Sequence, residues 1–270
     1  MGKQRSNRYG DLLLGVFNSH YGGDGESFTF QRTELELFAT KLDIALPKNL
    51  GDLIYTYRYR QPLPKDILET ASEGYEWVIE LAGRGVYRFR LARVNRIAPS
   101  DNYYITKVPD ATPEIVTMYA MNDEQALLAK VRYNRLIDIF LGIAAYSIQN
   151  HLRTTVPDMG QIETDEIYVG VRNTGEQFVV PVQAKGGNDQ IGSVQILQDL
   201  AMCQDRFPML TCRPVAVQFT KDSEDRQVIV MFELCEDGED IRVVDEKQYR
   251  LVSQGEISSE DLVRMASFSG

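Results

Sequence analysis

Two short apolar runs rich in β-branched side chains, Ile167–Val171 and Phe178–Val182, stand either side of Arg172-Asn173-Thr174-Gly175. Runs of that length divided by turn-forming residues read as a β-hairpin. Strand side chains alternate with period two. Glu163 and Asp165 are therefore expected on one face at the start of the first strand, and Gln183 and Lys185 on one face at the end of the second. In an antiparallel pair, the start of one strand lies beside the end of the next. The hairpin should gather carboxylates, an amide and an ammonium at one edge. Taken singly, such residues are ordinary surface groups. Here Val179, Val180 and Val182 place Gln183 and Lys185 at the mouth of a core strand, where polar side chains need a reason.

The order of these residues resembles the PD-(D/E)XK nuclease superfamily, in the variant with glutamine at the acidic position of the third motif, and most of all the Mrr-type restriction endonucleases. Asp165 leads Glu166-Ile167-Tyr168-Val169, the second strand ends in Gln183-Ala184-Lys185, and a Gln-bearing segment with Gln195 and Gln198 follows a short loop. The likeness spans roughly residues 120–235. It implies an α/β restriction-endonuclease-like core, a mixed sheet flanked by helices, in a nuclease domain over 115–270. Residues 1–110 would form a separate DNA-recognition domain of helices plus a β-hairpin.

The same resemblance implies a metal site. Asp165 would anchor Mg2+, or Mn2+, with the Gln183 side-chain oxygen and the Ala184 carbonyl. Magnesium needs only one or two carboxylates and keeps several waters. Lys185 would orient the attacking water or stabilise charge on the phosphate. Glu163 is the spare acid, able to compensate for a neutral glutamine that binds a cation less strongly than a carboxylate, and Glu166 is expected on the opposite face. The implied partner is double-stranded DNA, cut by a homodimer, because cleaving both strands takes two sites. Two alternatives remain: a DNA-binding protein that keeps the fold without turnover, and a nuclease for junctions or flaps.

Composition is that of an ordinary soluble globular protein, with 43% hydrophobic and 25% charged residues. The net charge of −10 is unevenly placed: the first hundred residues are slightly basic and the acids concentrate after residue 220. Because DNA affinity depends on local basic surface, the N-terminal half is the expected nucleic-acid partner. Met1–Asn7 is polar and basic, Leu12–Phe17 is too short for a signal-peptide core, and Leu136–Ile148, broken by Asp138, is too short to span a bilayer. A cytoplasmic protein with no membrane association is expected. Met1-Gly2-x-x-x-Ser6 meets only the loose myristoylation pattern. Cys203, Cys212 and Cys235 form no CxxC pair and read as reduced thiols, and two histidines, His20 and His151, argue against zinc fingers and His-dependent nucleases.

In the N-terminal part, residues 9–19 suggest a short helix. Thr33–Leu42 reads as an amphipathic helix with Leu35, Leu37, Phe38 and Leu42 on one side, and Leu53–Tyr59 as a second helix bearing exposed Arg58 and Arg60. This is either a helix-turn-helix or a small helical subdomain with a solvated basic face. Trp77–Leu81 and Val86–Leu91 form a further hairpin. Arg84, Arg88, Arg90, Arg93 and Arg96 lie in a stretch without an acid. They fit the wing of a winged-helix unit contacting DNA, or an edge strand kept soluble by arginine.

The stretch 101–120, with Pro109 and Pro113, is the expected domain boundary. A long helix capped by Asn122 or Asp123 is expected through about residue 151, buried through Leu127, Leu128, Val131, Leu136, Ile137, Phe140 and Leu141. His151 and Arg153 would then line the active-site cleft and touch DNA, or cap that helix. Gln190–Cys203 is expected as a helix, and Val215–Phe219 and Val228–Phe232 as strands buried on both faces.

Overall fold

The computed structural model describes residues 8–267 apart from 48, 60, 94–96, 101–102, 120–123, 158, 187–190 and 239. Arg60, Arg96, the capping candidates Asn122 and Asp123, residues 187–189 of the short loop after Lys185, Gln190 at the start of the expected helix, and the lipidation pattern at 1–6 lie outside the described residues. The chain forms two compact units, Met1–Asn95 with Thr155–Gln161, and Arg96–Thr154 with Ile162–Gly270.

The first unit contains α1 (Arg8–His20), β1 (Ser27–Gln31), α2 (Arg32–Leu42), α3 (Leu50–Tyr59), α4 (Lys65–Leu68), β2 (Tyr75–Gly83) and β3 (Val86–Arg93). Its sheet runs β1-β3-β2, antiparallel throughout. The core is aromatic: Phe17 meets Phe28, Trp77 and Phe89 edge-on at 5.1–5.4 Å between centroids, a favoured ring geometry. Helix α3 buries Leu53, Ile54 and Tyr57 as its periodicity requires. Helix α2 corrects the expected face. Leu35 and Ala39 are buried, while Leu37 is 61% exposed and Leu42 is exposed as well.

The remaining elements are β4 (Ile105–Pro109), α5 (Glu114–Tyr119), α6 (Glu124–Tyr133), α7 (Leu136–Leu141), β5 (Ala144–Val156), β6 (Gly160–Val171), β7 (Gln177–Lys185), α8 (Ser193–Arg206), β8 (Thr211–Cys212), β9 (Val215–Lys221), β10 (Gln227–Asp237), β11 (Asp240–Val252), a 3-10 turn at Gln254–Glu256 and α9 (Ser259–Ser267). They build a mixed α/β unit around an eight-stranded sheet in the order β4-β11-β10-β9-β7-β6-β5, with β8 beside β7. The pairs β6–β7, β9–β10 and β10–β11 are antiparallel, whereas β7–β9, β7–β8 and β4–β11 are parallel. The stretch expected as the domain boundary thus supplies β4, paired with β11 in the large sheet.

Strands β9 and β10 are buried on both faces. Val215, Val217, Ile229 and Met231 pack with α6 and α7, and Ala216, Val228, Val230 and Phe232 pack with Ile196 of α8. Pro181 sits inside β7, a position normally hostile to proline. It falls where β8 gives way to β9: Val179 pairs with Cys212 and Val182 with Val215, leaving no ladder partner at 181 on that side.

The single long helix expected through residue 151 is corrected. Helix α6 ends at Tyr133, α7 ends at Leu141, and residues 144–156 form strand β5. Two left-handed residues make the breaks, Arg135 (φ 50°) and Gly142 (φ 64°). The buried Asn134 ties the first break, accepting from Ala111 N–H at 2.7 Å and donating to Thr112 Oγ1 and the Lys130 carbonyl at 2.9 Å. Asp138 ties the second, accepting from Ala145 N–H at 3.0 Å. His151 and Arg153 therefore sit on a strand and cap no helix. Helical periodicity alone does not separate a helix from a helix followed by a strand. No helix among the described residues is long and apolar enough to cross a membrane.

Gly142 has open space around its β-carbon position, so Gly142→Ala introduces backbone strain without a clash. The expected loss is about 1 kcal/mol, read as a lower denaturant midpoint with an unchanged m-value. A variant as stable as wild type would show that the left-handed turn does not need glycine.

Candidate functional site

The hairpin β6–β7 is hydrogen-bonded in register from Val171↔Gln177 down to Glu166↔Val182. One step further, the Ala184 N–H donates to the Asp165 carboxylate at 2.8 Å, so a side chain takes the group that the neighbouring strand would otherwise satisfy. The strict alternation expected across residues 163–166 is interrupted at this point. Thr164 Oγ1 reaches Asp199 on α8 at 2.5 Å, while Glu166, two residues on, receives Arg132 Nε of α6 at 2.8 Å and Ser147 Oγ at 2.5 Å.

This parting arranges the expected residues in two groups. On the α8 side, the buried Gln183 donates its Nε2 to Asp199 Oδ2 at 2.9 Å and to the Glu163 carbonyl at 3.2 Å. Beside Asp165, Lys185 and His151 both act to lower its pKa through their charge, and Glu124 raises it. Lys185 Nζ donates to Glu124 Oε1 at 2.9 Å. The Glu163 side chain turns to β5, 3.1 Å from Arg153 and 3.7 Å from His151. Of the glutamines expected toward DNA, Gln195 is half-buried and Gln198 is buried.

Burial dominates the electrostatics. It lifts Asp165 above the usual aspartate range despite the Ala184 N–H and the Lys185 charge. It lifts Asp199 to about 7, because among the described residues Asp199 has only the neutral Thr164 and Gln183 as donors, and it feels the charge of Asp165. Carboxylates in apolar surroundings without a cation behave this way.

Asp199 and Glu124 were not read from the sequence. Asp199 had a signal: it falls in the apolar stripe of α8, three residues after Ile196 and four before Cys203, where a charge is out of place. Glu124 opens α6 and carried no signal that it would reach Lys185.

In the first unit, the expectation of uncompensated arginines is corrected. Glu80 on β2 accepts from Arg88 Nη2 at 2.6 Å and from Arg90 Nη2 at 2.9 Å. Cross-strand pairing of Glu80 with Arg88 brings the acid to the cations from a separate part of the sequence. Arg90 is itself buried, its side chain only 6% exposed. Burial acts to raise Glu80, but the hydrogen bonds from Arg90 and Arg88 outweigh it and hold the carboxyl below its ordinary value. Arg58, expected on an exposed helix face, is half-buried and donates Nε to the Ile79 carbonyl at 3.1 Å. Arg84, at the tip of the β2–β3 hairpin, and Arg93 are exposed.

No protein family, curated protein or solved structure matches the chain.

The raised Asp199 sets a pH dependence with a definite sign. Between the ordinary aspartate value of 3.8 and about 7, the folded protein keeps a proton that the unfolded chain has released. The stability associated with that proton is complete below 3.8 and is lost as pH rises through 7. The unfolding free energy of an Asp199→Asn variant, measured relative to wild type, should therefore grow as pH is raised across this interval. A difference that stays constant with pH would show that Asp199 ionises normally.

Proposed function

We propose that this chain is a metal-dependent DNA endonuclease with a PD-(D/E)XK-type core in its second unit and a DNA-recognition unit of winged-helix type in its first. The observation that carries the reading is the Asp165 carboxylate seated on the Ala184 N–H, in the middle of Gln183-Ala184-Lys185. An acid leading one strand and a Gln-x-Lys ending the next thus meet where their ladder stops. The connection from β7 through α8 to the parallel strand β9 supports the same core. Helices α2, α3 and α4 followed by the β2–β3 hairpin support the winged-helix reading of the first unit.

The donors suit a hard cation. Asp165 supplies one carboxylate, Gln183 an amide oxygen and Ala184 a carbonyl. Among the described residues, no three His, Cys, Asp or Glu side chains gather where they could hold a metal ion, so the proposed site rests on one carboxylate with neutral oxygens. Mg2+, or Mn2+, asks for one or two carboxylates and other oxygens. When bound, it supplies an activated water and charge neutralisation at the phosphate. Lys185, held by Glu124 through one of its donors, has others with which to hold the attacking water or the phosphate oxygen. Glu163 stands by as a further acid, with Arg153 beside it as a cation and His151 as a hydrogen-bonding group for the DNA backbone. Cutting both strands takes two such sites, so the proposed working form is a homodimer, acting in the cytoplasm on double-stranded DNA.

A second reading, a DNA-binding protein without turnover, is favoured by one observation: the Lys185 ammonium already has a protein partner in Glu124. Incubation with plasmid and Mg2+, with and without EDTA, separates the two. Nicking or linearisation that EDTA stops is expected. It should disappear in Asp165→Ala together with Mg2+ affinity, and disappear in Lys185→Ala with DNA binding kept. Near-normal cleavage by either variant would remove the assignment from this site.

The arginines divide into two roles. Arg84→Ala removes an exposed cation and should lower the log–log salt slope of duplex binding by about 0.9 if that cation neutralises one phosphate. Arg88→Ala loosens the part-buried pairing around Glu80 and should lower the stability of the first unit first. Binding at several salt concentrations, alongside thermal unfolding, reads both. An unchanged slope in Arg84→Ala would take the hairpin tip out of the DNA interface.

A further inference from the structure

Gln183 is 1% exposed. Nε2 donates to Asp199 Oδ2 and to the Glu163 carbonyl, and among the described residues no donor reaches Oε1. An amide has two nearly isosteric orientations, chosen by its hydrogen bonds. Both acceptors here select the one with nitrogen toward α8. Asp199 is in turn fixed by Thr164 Oγ1, a residue of the same irregular stretch of β6 that carries Asp165. Reversing the amide would set its oxygen against two other oxygens in a buried space, an unfavourable arrangement.

We propose that Asp199 is a positioning residue: by accepting from Gln183 Nε2, it orients the side-chain amide so that Oε1 is the atom offered to a divalent cation. The inference rests on the metal-site reading above and adds to it. A neutral glutamine serves as an oxygen ligand here because a carboxylate behind it fixes its direction. The arrangement also gives a reason for glutamine over glutamate. A glutamate at 183 would face the Asp199 carboxylate directly, placing two buried acids side by side.

Titration calorimetry with Mn2+ on the full-length protein tests the consequence for the cation. Asp199→Leu removes the acceptor and should weaken Mn2+ binding by about 10- to 100-fold, as loss of an outer partner of a metal ligand does. Asp199→Asn keeps an acceptor oxygen facing Gln183 and should largely restore affinity, which a purely structural role for the charge would not do. Thermal unfolding without metal provides a second measurement that stands if Asp199→Leu does not fold. Gln183→Glu should unfold at lower temperature than wild type, and Gln183→Glu combined with Asp199→Asn should recover much of the loss. A wild-type protein that binds no Mn2+ overturns the metal-site reading on which the inference rests. Wild-type binding that survives Asp199→Leu unchanged, or a Gln183→Glu protein no less stable than the double variant, overturns the role of Asp199 alone.

Discussion

The hydrogen bond from the Ala184 N–H to the Asp165 carboxylate sits where the β6–β7 ladder ends. Ala184 is fully buried, and a buried N–H without a partner costs about 1–3 kcal/mol. Since β6 joins the ladder only at Glu166, a side chain has to take over before it. The departure has further effects nearby. It leaves the Glu163 carbonyl to Gln183, and it lets Thr164 turn its hydroxyl to Asp199 on α8. A regular strand would have satisfied Ala184 from backbone and left Asp165 free to solvate.

Three buried acids around this opening are compensated in different ways. Glu166 is fully buried and meets the Arg132 guanidinium, whose own pKa is raised by that hydrogen bond. Asp199 accepts from the neutral Thr164 and Gln183, so burial prevails and its proton is held more tightly. Asp165 lies between, with one backbone donor, the Lys185 charge in its favour and Glu124 against it. Of the three, Asp165 is the acid whose neighbourhood also carries an ammonium, and the proposed chemistry draws on that pairing. In the first unit, Glu80 lies between two arginines and keeps its charge. An acid from one strand can thus cancel the cations of the next, which limits what a local charge run says about DNA.

The hairpin, the strands β9 and β10 and the helices α1, α2, α3 and α8 were legible because each carries its own pattern: β-branched runs bounded by turns, or apolar residues at helical spacing. Strand β5 was not, because Leu136–Ile148 is apolar enough to continue a helix. What ends the helix is a hydrogen bond to Asn134 from Ala111, far back in the chain, together with a left-handed glycine. Strands β1, β4 and β11 were missed for a related reason. They are held at sheet edges or in long pairings by partners distant in sequence, such as Gln248↔Ile105.

The sequence by itself determined the covalent order that brings Asp165, Gln183 and Lys185 onto adjacent strands, since two apolar runs joined by a short turn have only one economical way to pair. It also determined that β9 and β10 are interior strands, because continuous apolar runs leave no face for water. Tertiary structure decided the direction of each polar group. Period-two alternation holds only while a ladder continues, and here the ladder ends at Glu166↔Val182. Beyond that pair, Gln183 turned to Asp199, Lys185 to Glu124 and Glu163 to Arg153, each toward a partner on another element. Such partners are chosen by distance in space and by the cost of burying an unpaired charge, neither of which is written in local spacing.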